Sequence, residues 1–510
     1  MDVYWFIGMR NQANNEVALD FESYYKSMGF ISYPFSVYTA ESELEKAEDL
    51  YKKPSNYSVI NEALDGSSVI VIGERGTGKT ALNLDIMRKK QSVDRLFVSI
   101  DDFSALEEGF SSELLYEFIT SQIAAAFFKK MSVKPKLFWK YSKDERLYLS
   151  LYLYRYVPAS TKNQLREQIK KIQHGRLKRL GFVTYNSVRV VLNYGLKALT
   201  KAISDSLTKH FSALPEIDFG DSEYFKRLDI EVDESFTSED KAYYFLEKLC
   251  DLVRKSGFNE IIISMDKIDE DSRFKNDAER ISNFIELIAS NHKVIINDRF
   301  KIILFIWSAP FNMIKSGIRT QKIVLQQLSW RESELKDVAA KRISAFSDGQ
   351  LKTLHDLFDE NADDCVKNII FMTNDNPRDL WHILNNLFIS QFEIDSSRKI
   401  TMEAMSQGIE KFVKQFNYYE YYPRRASARA NSMDIYSYIK HLMKLNSNEF
   451  TKSKLNEMAG TGSSTGNYVV SMENMGLIRK TVRKEQGGVV YEIKDPKVRY
   501  AREYGIEISL

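Results

Sequence analysis

The stretch from Val69 to Leu82, VIVIGERGTGKTAL, constrains this chain more than any other. An aliphatic run leads into GERGTGKT, which satisfies Gly-x4-Gly-Lys-[Ser/Thr] at every fixed position, and KTALNLDIMRKK continues with the character of a helix. Buried strand, glycine-rich turn and helix, in that order, form the arrangement that cradles phosphate. Gly73, Gly76 and Gly78 let the backbone turn and come close to an anion, so that the N–H groups of the loop, Glu74, Arg75 and Thr77 included, converge on it. The positive end of the following helix points the same way. Lys79 is placed to reach the β and γ phosphates and the Thr80 hydroxyl to ligate Mg²⁺. The whole loop, Gly73 to Thr80, is therefore the expected nucleotide-binding element.

Such a loop needs a parallel sheet beneath it. The runs SSVIVIG, RLFVSID, EIIISMD, FKIILFIW and KIVLQQL supply five near-continuous apolar strands with helical patterns between them, as a sheet covered on both faces requires. They define an α/β domain over about 61–328. Residues 1–60, with the aromatic motif YPFSVYTA and the charged run ESELEKAEDLYKK, read as a lead-in packed on the domain that follows. Well over a hundred residues separate RLFVSIDD from EIIISMD, far more than one crossover uses, so a helical insertion over about 103–238 is expected. It holds LREQIKKIQHGRLKRLG, either a solvated helix face or a surface for nucleic acid or a partner. Residues 329–416 read as a wholly helical lid. Within 417–510, MDIYSYIKHLMKL, TKSKLNEMA with Thr451 as N-cap, SSTGNYVVSMENMGLI and a hairpin turned at Gly487 and Gly488 spell a winged helix.

Ligands of open parallel sheets sit at the C-terminal ends of the strands. The run Ile261 to Met265 ends there at Asp266, which would hold Mg²⁺ opposite Thr80, directly or through water, unless it is a plain turn residue. Asp269 and Glu270 follow closely. Either orients an attacking water if the backbone turns sharply after Asp266, or faces solvent if it does not.

A net charge of +2 excludes a surface that is basic throughout, so any nucleic-acid contact must come from a local patch. Two patches qualify: Arg424, Arg425 and Arg429, interleaved with tyrosines in YYPRRASARAN, and Arg479, Lys480, Arg483 and Lys484 on the expected wing. The third helix offers Ser464, Thr465, Asn467 and Tyr468 but no cation, and winged helices also dock proteins, so DNA and a protein partner both stay open. The two cysteines, Cys250 and Cys365, lack any CxxC or histidine company and read as reduced core residues, with no zinc implied. MDVYWFIGMRNQ has no basic leader, and RLYLSLYLYRYVP is too short to span a bilayer, so a cytoplasmic protein without a membrane partner is expected.

GERGTGKT, MDKIDE, KIILFIWSAPF, LQQLSWRESELKDVAAKRI and NDNPRDL together resemble prokaryotic P-loop ATPases of the AAA+ and STAND type, with features of origin-recognition initiators and NACHT proteins. The resemblance covers Tyr33 to Asn386, apart from the insertion, and more loosely the winged helix. It implies a sheet of order 5-1-4-3-2, ATP with Mg²⁺ and self-association through neighbouring subunits. MDKIDE is similar to the NACHT form of the second box, where a small residue usually stands in place of Lys267. The resemblance further implies that Ser308, nearest the tip of the sensor 1 strand, and Arg378, the sensor 2 arginine of the NPRD box, feel the γ phosphate, and that Arg378 converts it into closure of the lid. Prokaryotic relatives of this kind often belong to antiviral defence modules. The expected function is an ATP-dependent switch, reset by slow hydrolysis, that engages a partner, an oligomer or DNA. Its rivals are a DNA-binding initiator or loader and a non-hydrolysing scaffold holding a structural nucleotide.

Overall fold

The computed structural model describes residues 20–90, 94–133, 237–424, 433–485 and 488–508, with scattered positions between 137 and 156. Arg425, Arg429, Gly487 and the basic run over 165–181 lie outside the described residues.

Five parallel strands, β1 (Val69–Gly73), β2 (Arg95–Ile100), β3 (Glu260–Met265), β4 (Lys301–Trp307) and β5 (Val324–Leu328), form one sheet in the order β2-β3-β4-β1-β5. Taken from the other edge this is 5-1-4-3-2, as expected. The alternation of a strand sends Ile70 and Ile72 to one face and Val69 and Val71 to the other. The first face packs against helices Ser112–Val133, Ser238–Ser256 and Ala278–Ala289, the second against Tyr57–Gly66 and Lys79–Lys90. Helix Ser112–Val133, inside the stretch expected as an insertion, thus belongs to the same core as the sheet. Thr237 caps helix Ser238–Ser256 by accepting from the Asp240 N–H, and Gly257, at φ 114°, ends it.

The lid is built from helices Glu332–Phe346, Ala362–Met372, Pro377–Ile394 and Met402–Gln415. The last two approach so closely that a Cβ on Gly408 would lie 2.9 Å from the Leu387 Cα. The aromatic part of the lead-in packs here, while its end, Tyr51, Tyr57 and Ile60, packs on the sheet of the domain that follows. Tyr24, Phe30 and Phe35 are buried around Phe388, and the Tyr33 hydroxyl donates to Asn385 Oδ1 at 2.9 Å. Aromatic rings bury the most surface per residue, so they settle where a large apolar face is open to them.

The C-terminal module has the winged-helix order: helices Ile435–Leu442, Lys452–Ala459 and Thr465–Asn474, then the hairpin β7 (Ile478–Glu485) and β8 (Gly488–Ile493), with the short β6 (Glu449–Thr451) pairing antiparallel to β8. Thr451 caps as expected, accepting from the Lys454 N–H at 3.2 Å. A further helix, Pro496–Tyr504, follows, and its Val498 and Ala501 enter the same apolar core as the lid helices. Lead-in, lid and winged helix therefore share one core. Among the described residues no helix is long and apolar enough to cross a membrane, and both cysteines are free and buried.

Candidate functional site

β1 delivers the loop to the end of the sheet, where Gly73 is in register with Trp307 of β4 and Leu328 of β5. Gly76 and Gly78 turn it, at φ 81° and 88°, a region closed to most side chains. A Cβ on Gly76 would also strike the Asn376 amide. The loop is tied from all sides. Thr77 Oγ1 donates to the Glu74 carbonyl at 2.7 Å, Trp330 Nε1 to the Thr77 carbonyl at 2.8 Å, and Asn376 Nδ2 to the Arg75 carbonyl at 2.7 Å. The buried Lys79 ammonium lies over it, donating to the Gly73 and Glu74 carbonyls at 3.0 Å each. Burial pulls its pKa down, against the charges of Asp269 and Asp266.

Asp266 follows β3 and is 3% exposed. Its Oδ1 accepts from the Lys267 N–H at 2.9 Å, while Oδ2 is buried with no hydrogen bond of ordinary geometry among the described residues, although the Thr80 hydroxyl lies close enough to act on the carboxyl. Burial raises its pKa above 3.8, opposed by the Thr80 hydroxyl and Lys79. Lys267 takes φ 64°, so the chain does turn sharply here, into the short helical turn Ile268–Glu270. The turn separates the two carboxylates that follow. Asp269 points inward and is gripped by Arg75, whose Nε donates to Oδ2 at 2.7 Å and Nη2 to the backbone carbonyl at 2.6 Å. Burial would raise its pKa, but Lys79 and Arg75 outweigh it and hold the carboxyl low. Glu270 stands exposed on the rim. Arg75 is thereby spent inside the protein: it also stacks on Trp307, 4.3 Å to the ring, and reaches the Glu420 carbonyl at 2.9 Å.

A cavity of about 1230 Å³ opens above the loop, between core and lid. Its floor is Gly76, Gly78, Lys79, Thr80, Asp266 and Asp269; the lid contributes Arg342, Arg378 and Trp381; the lead-in closes one side and the 417–424 segment another. Arg378, half-buried, faces it with no hydrogen bond or ion pair from its side chain among the described residues. Asn376 sets it there. As N-cap of helix Pro377–Ile394 its Oδ1 accepts from the Arg378 N–H at 2.9 Å, while its amide holds the phosphate loop. Sequence reasoning passed over Asn376, although Asn before Pro at a helix start is a cap signal. It also passed over Trp307 and Trp330, for which no local pattern speaks.

The loop, Asp266 and Arg378 thus meet at one cavity. Ser308 does not join them. It opens the helix after β4 with its hydroxyl buried and unpartnered, and it is not among the cavity's lining residues.

No known family's sequence profile matches the chain, and no curated protein sequence matches it. Solved structures do. The ORC2 protein of Aeropyrum pernix, in ADPNP and ADP complexes, is 9% identical, with 90% of this chain and 98% of that one covered and a TM-score of 0.40. Drosophila ORC bound to DNA gives 10% identity, 98% and 96% coverage and a TM-score of 0.31; Cdc6p from Pyrobaculum aerophilum gives 10%, 94%, 99% and 0.28. At such low identity and so loose a superposition, none of the three carries a role across to this chain.

The cationic candidates divide. Arg424 lines the cavity, its guanidinium 3.6 Å from the Tyr419 ring and its N–H bonded to the Asn276 carbonyl, so it belongs to the cleft and not to the face of the winged helix. On the wing Arg479 is paired with Glu492 and Arg483 with Glu449, leaving Lys480 and Lys484 as exposed cations without an ion pair among the described residues. In the third helix Thr465 is buried, its hydroxyl donating to the Gly462 carbonyl at 2.7 Å, and Tyr468 stacks on His441. Asn467 stays exposed.

Proposed function

We propose that the chain is an ATP-dependent molecular switch. One observation carries this: an unpartnered, buried carboxylate oxygen of Asp266 and an unpaired Arg378 guanidinium belong to the core and lid sides of a single cavity floored by the phosphate loop. Buried polar atoms are rarely left without partners. The donor set suits magnesium and a triphosphate. Thr80 and Asp266 would hold the ion, which supplies charge neutralisation at the phosphates; the loop N–H groups and Lys79 would bind the phosphate chain, Lys79 giving up its two carbonyl partners to do so. Arg378 is the residue that would distinguish a terminal phosphate from its absence. Because the lid shares its core with the winged helix, a change in lid position carries that module with it. ATP shifts such an equilibrium only through its differential affinity for the two shapes, and a full swing needs about 5.5 kcal/mol of it.

Hydrolysis belongs to the proposal as a slow reset. With Asp269 held by Arg75, Glu270 is the carboxylate better placed to orient water. Ser308 would serve as a γ-phosphate sensor only after its helix start moved. Self-association and a protein effector are further parts of the reading; a defence setting rests on kinship alone. The initiator or loader reading draws on Lys480, Lys484 and Asn467, which leave the winged helix a polar, partly cationic face for DNA.

Lys79→Ala tests the core claim. It is expected to abolish ATP binding in a calorimetric titration while the circular dichroism and melting of the chain persist. Undiminished binding would refute the assignment. Turnover with and without duplex DNA then separates the readings: DNA-stimulated turnover supports a switch or loader, and none under either condition supports the scaffold.

A further inference from the structure

Glu41 and Glu43 stand two residues apart in the lead-in, in the helical turn Ala40–Lys46, and they tie to opposite lobes. Glu43 meets Arg342 of the lid in a two-pronged pair, Nη1 to Oε2 at 2.8 Å and Nη2 to Oε1 at 2.6 Å, with the arginine side chain 5% exposed and stacked on Trp381. Glu41 meets Lys267 of the core, Nζ to Oε1 at 2.5 Å, with the two side chains 39% and 25% exposed. Buried, bidentate arginine pairs hold geometry, whereas exposed lysine pairs are weak. The segment is thus anchored to the lid and lightly held by the core.

Glu41 and Lys267 both line the cavity over the phosphate loop. The left-handed backbone of Lys267, fixed by the Asp266 carboxylate on its N–H, is the turn that leads the chain from the end of β3 into the cavity wall. The charge of Arg378 also bears on Glu41. A carboxylate of the chain's own therefore sits under the influence of two cations at the mouth of a site built for anions.

We infer that Lys267 is a further phosphate-binding residue and that Glu41 is a tethered anion covering it, so that a nucleoside triphosphate, in taking Lys267, releases the lead-in from the core while Glu43 keeps it on the lid. The inference rests on the nucleotide reading of the cleft and adds a regulation to it: the lead-in is a clasp whose core half opens when the terminal phosphate arrives.

The test titrates MgATP and MgADP into the full chain as wild type, Glu41→Gln, Lys267→Gln, the double variant and Lys79→Ala. Removing an exposed pair that competes with the ligand is expected to tighten ATP binding about threefold in Glu41→Gln, with a smaller change for ADP. Lys267→Gln weakens ATP binding, and the double variant binds like Lys267→Gln. Hydrogen exchange over residues 37–43 quickens when ATP is added to wild type and is quick from the start in Glu41→Gln. ATP binding no tighter in Glu41→Gln, undiminished in Lys267→Gln, or exchange in 37–43 indifferent to ATP overturns the clasp. If Lys79→Ala is blind to ATP while Glu41→Gln is neutral, the clasp alone fails. If Lys79→Ala binds as wild type does, the cradle reading fails with it.

Discussion

Two lysines of this protein are buried beside two aspartates each, and they are used in opposite ways. Lys497, 1% exposed, donates to Asp379 Oδ2 at 3.1 Å and lies 3.6 Å from Asp495 Oδ1. The remaining oxygens are supplied as well: Tyr421 donates to Asp379 Oδ1 and Tyr422 to Asp495 Oδ2, both at 2.6 Å. Burial pushes Asp379 up and works against the ammonium, yet Asp495 and Asp379 raise Lys497 in turn; the bonds all suit the charged forms, and that is the state we assign. Lys79 has Asp266 and Asp269 nearby but bonds only to backbone carbonyls, burial draws its pKa down, and Asp266 keeps an oxygen with no partner. The first cluster is complete without a ligand and rivets the lid to the C-terminal helix. The second is incomplete, and what it lacks is what a phosphate and a divalent ion would bring. Satisfaction of polar groups, more than burial or charge, separates the closed cluster from the one we propose to bind a ligand.

The contrast can be broken most sharply at Lys497. Lys497→Ala leaves two carboxylates buried without their cation and should cost about 3–5 kcal/mol in urea unfolding; a loss below about 1 kcal/mol would mean that the cluster does not hold lid and winged helix together.

A smaller effect is expected at Asp266. Its folded pKa lies above 3.8, so between 3.8 and that raised value the folded chain binds more proton than the unfolded one, and its stability falls as pH rises through this window. Asp266→Asn removes the penalty. In EDTA at neutral pH the nucleotide-free variant should be the more stable by roughly 1 kcal/mol, the scale of one unsatisfied buried group, with the gap closing as pH falls toward 3.8. The same variant should lose magnesium-dependent ATP binding. Equal melting of the two proteins across the range would remove Asp266 from the incomplete cluster.

The smallest effect concerns the wing, whose arginines are satisfied like Lys497 but at the surface. Glu449→Gln with Glu492→Gln frees Arg483 and Arg479. If the wing faces DNA, affinity should rise a few-fold at low salt and the slope of log K against log salt should steepen by up to about 2, near one per phosphate gained. Binding that is flat with salt in both proteins would end the DNA reading of this surface.

Much of the architecture was legible because its signals are local. The five strands are short aliphatic runs with polar ends, and Thr451 announces its helix by chemistry visible within three residues. The sheet order came by resemblance, since no single strand carries it. The terminal helix also had its signal in Asp495 followed by Pro496, a cap with proline at the first position, and was overlooked beside the hairpin. What stayed hidden is non-local. Nothing around Arg75 tells that its guanidinium will stack on Trp307, more than two hundred residues later, and so occupy Asp269. Nor does any pattern near Tyr24 show that its ring belongs to the lid. Among the site residues, those in fixed motifs, Arg75, Gly76, Gly78, Lys79 and Thr80 with Asp266 and Arg378, line the cavity; Ser308, chosen by strand position alone, does not, because the strand ends at Trp307 and Ser308 already opens the next helix.

The place of the lead-in also sets a timetable. Tyr33 is made 352 residues before its hydrogen-bond partner Asn385. At about 5–20 residues per second, a ribosome needs roughly 20–70 s to supply it. Through that interval Tyr24, Phe30 and Phe35 are without the hydrophobic surface that finally shelters them. The nascent chain thus carries an aromatic segment whose shelter is completed only when the lid is synthesised.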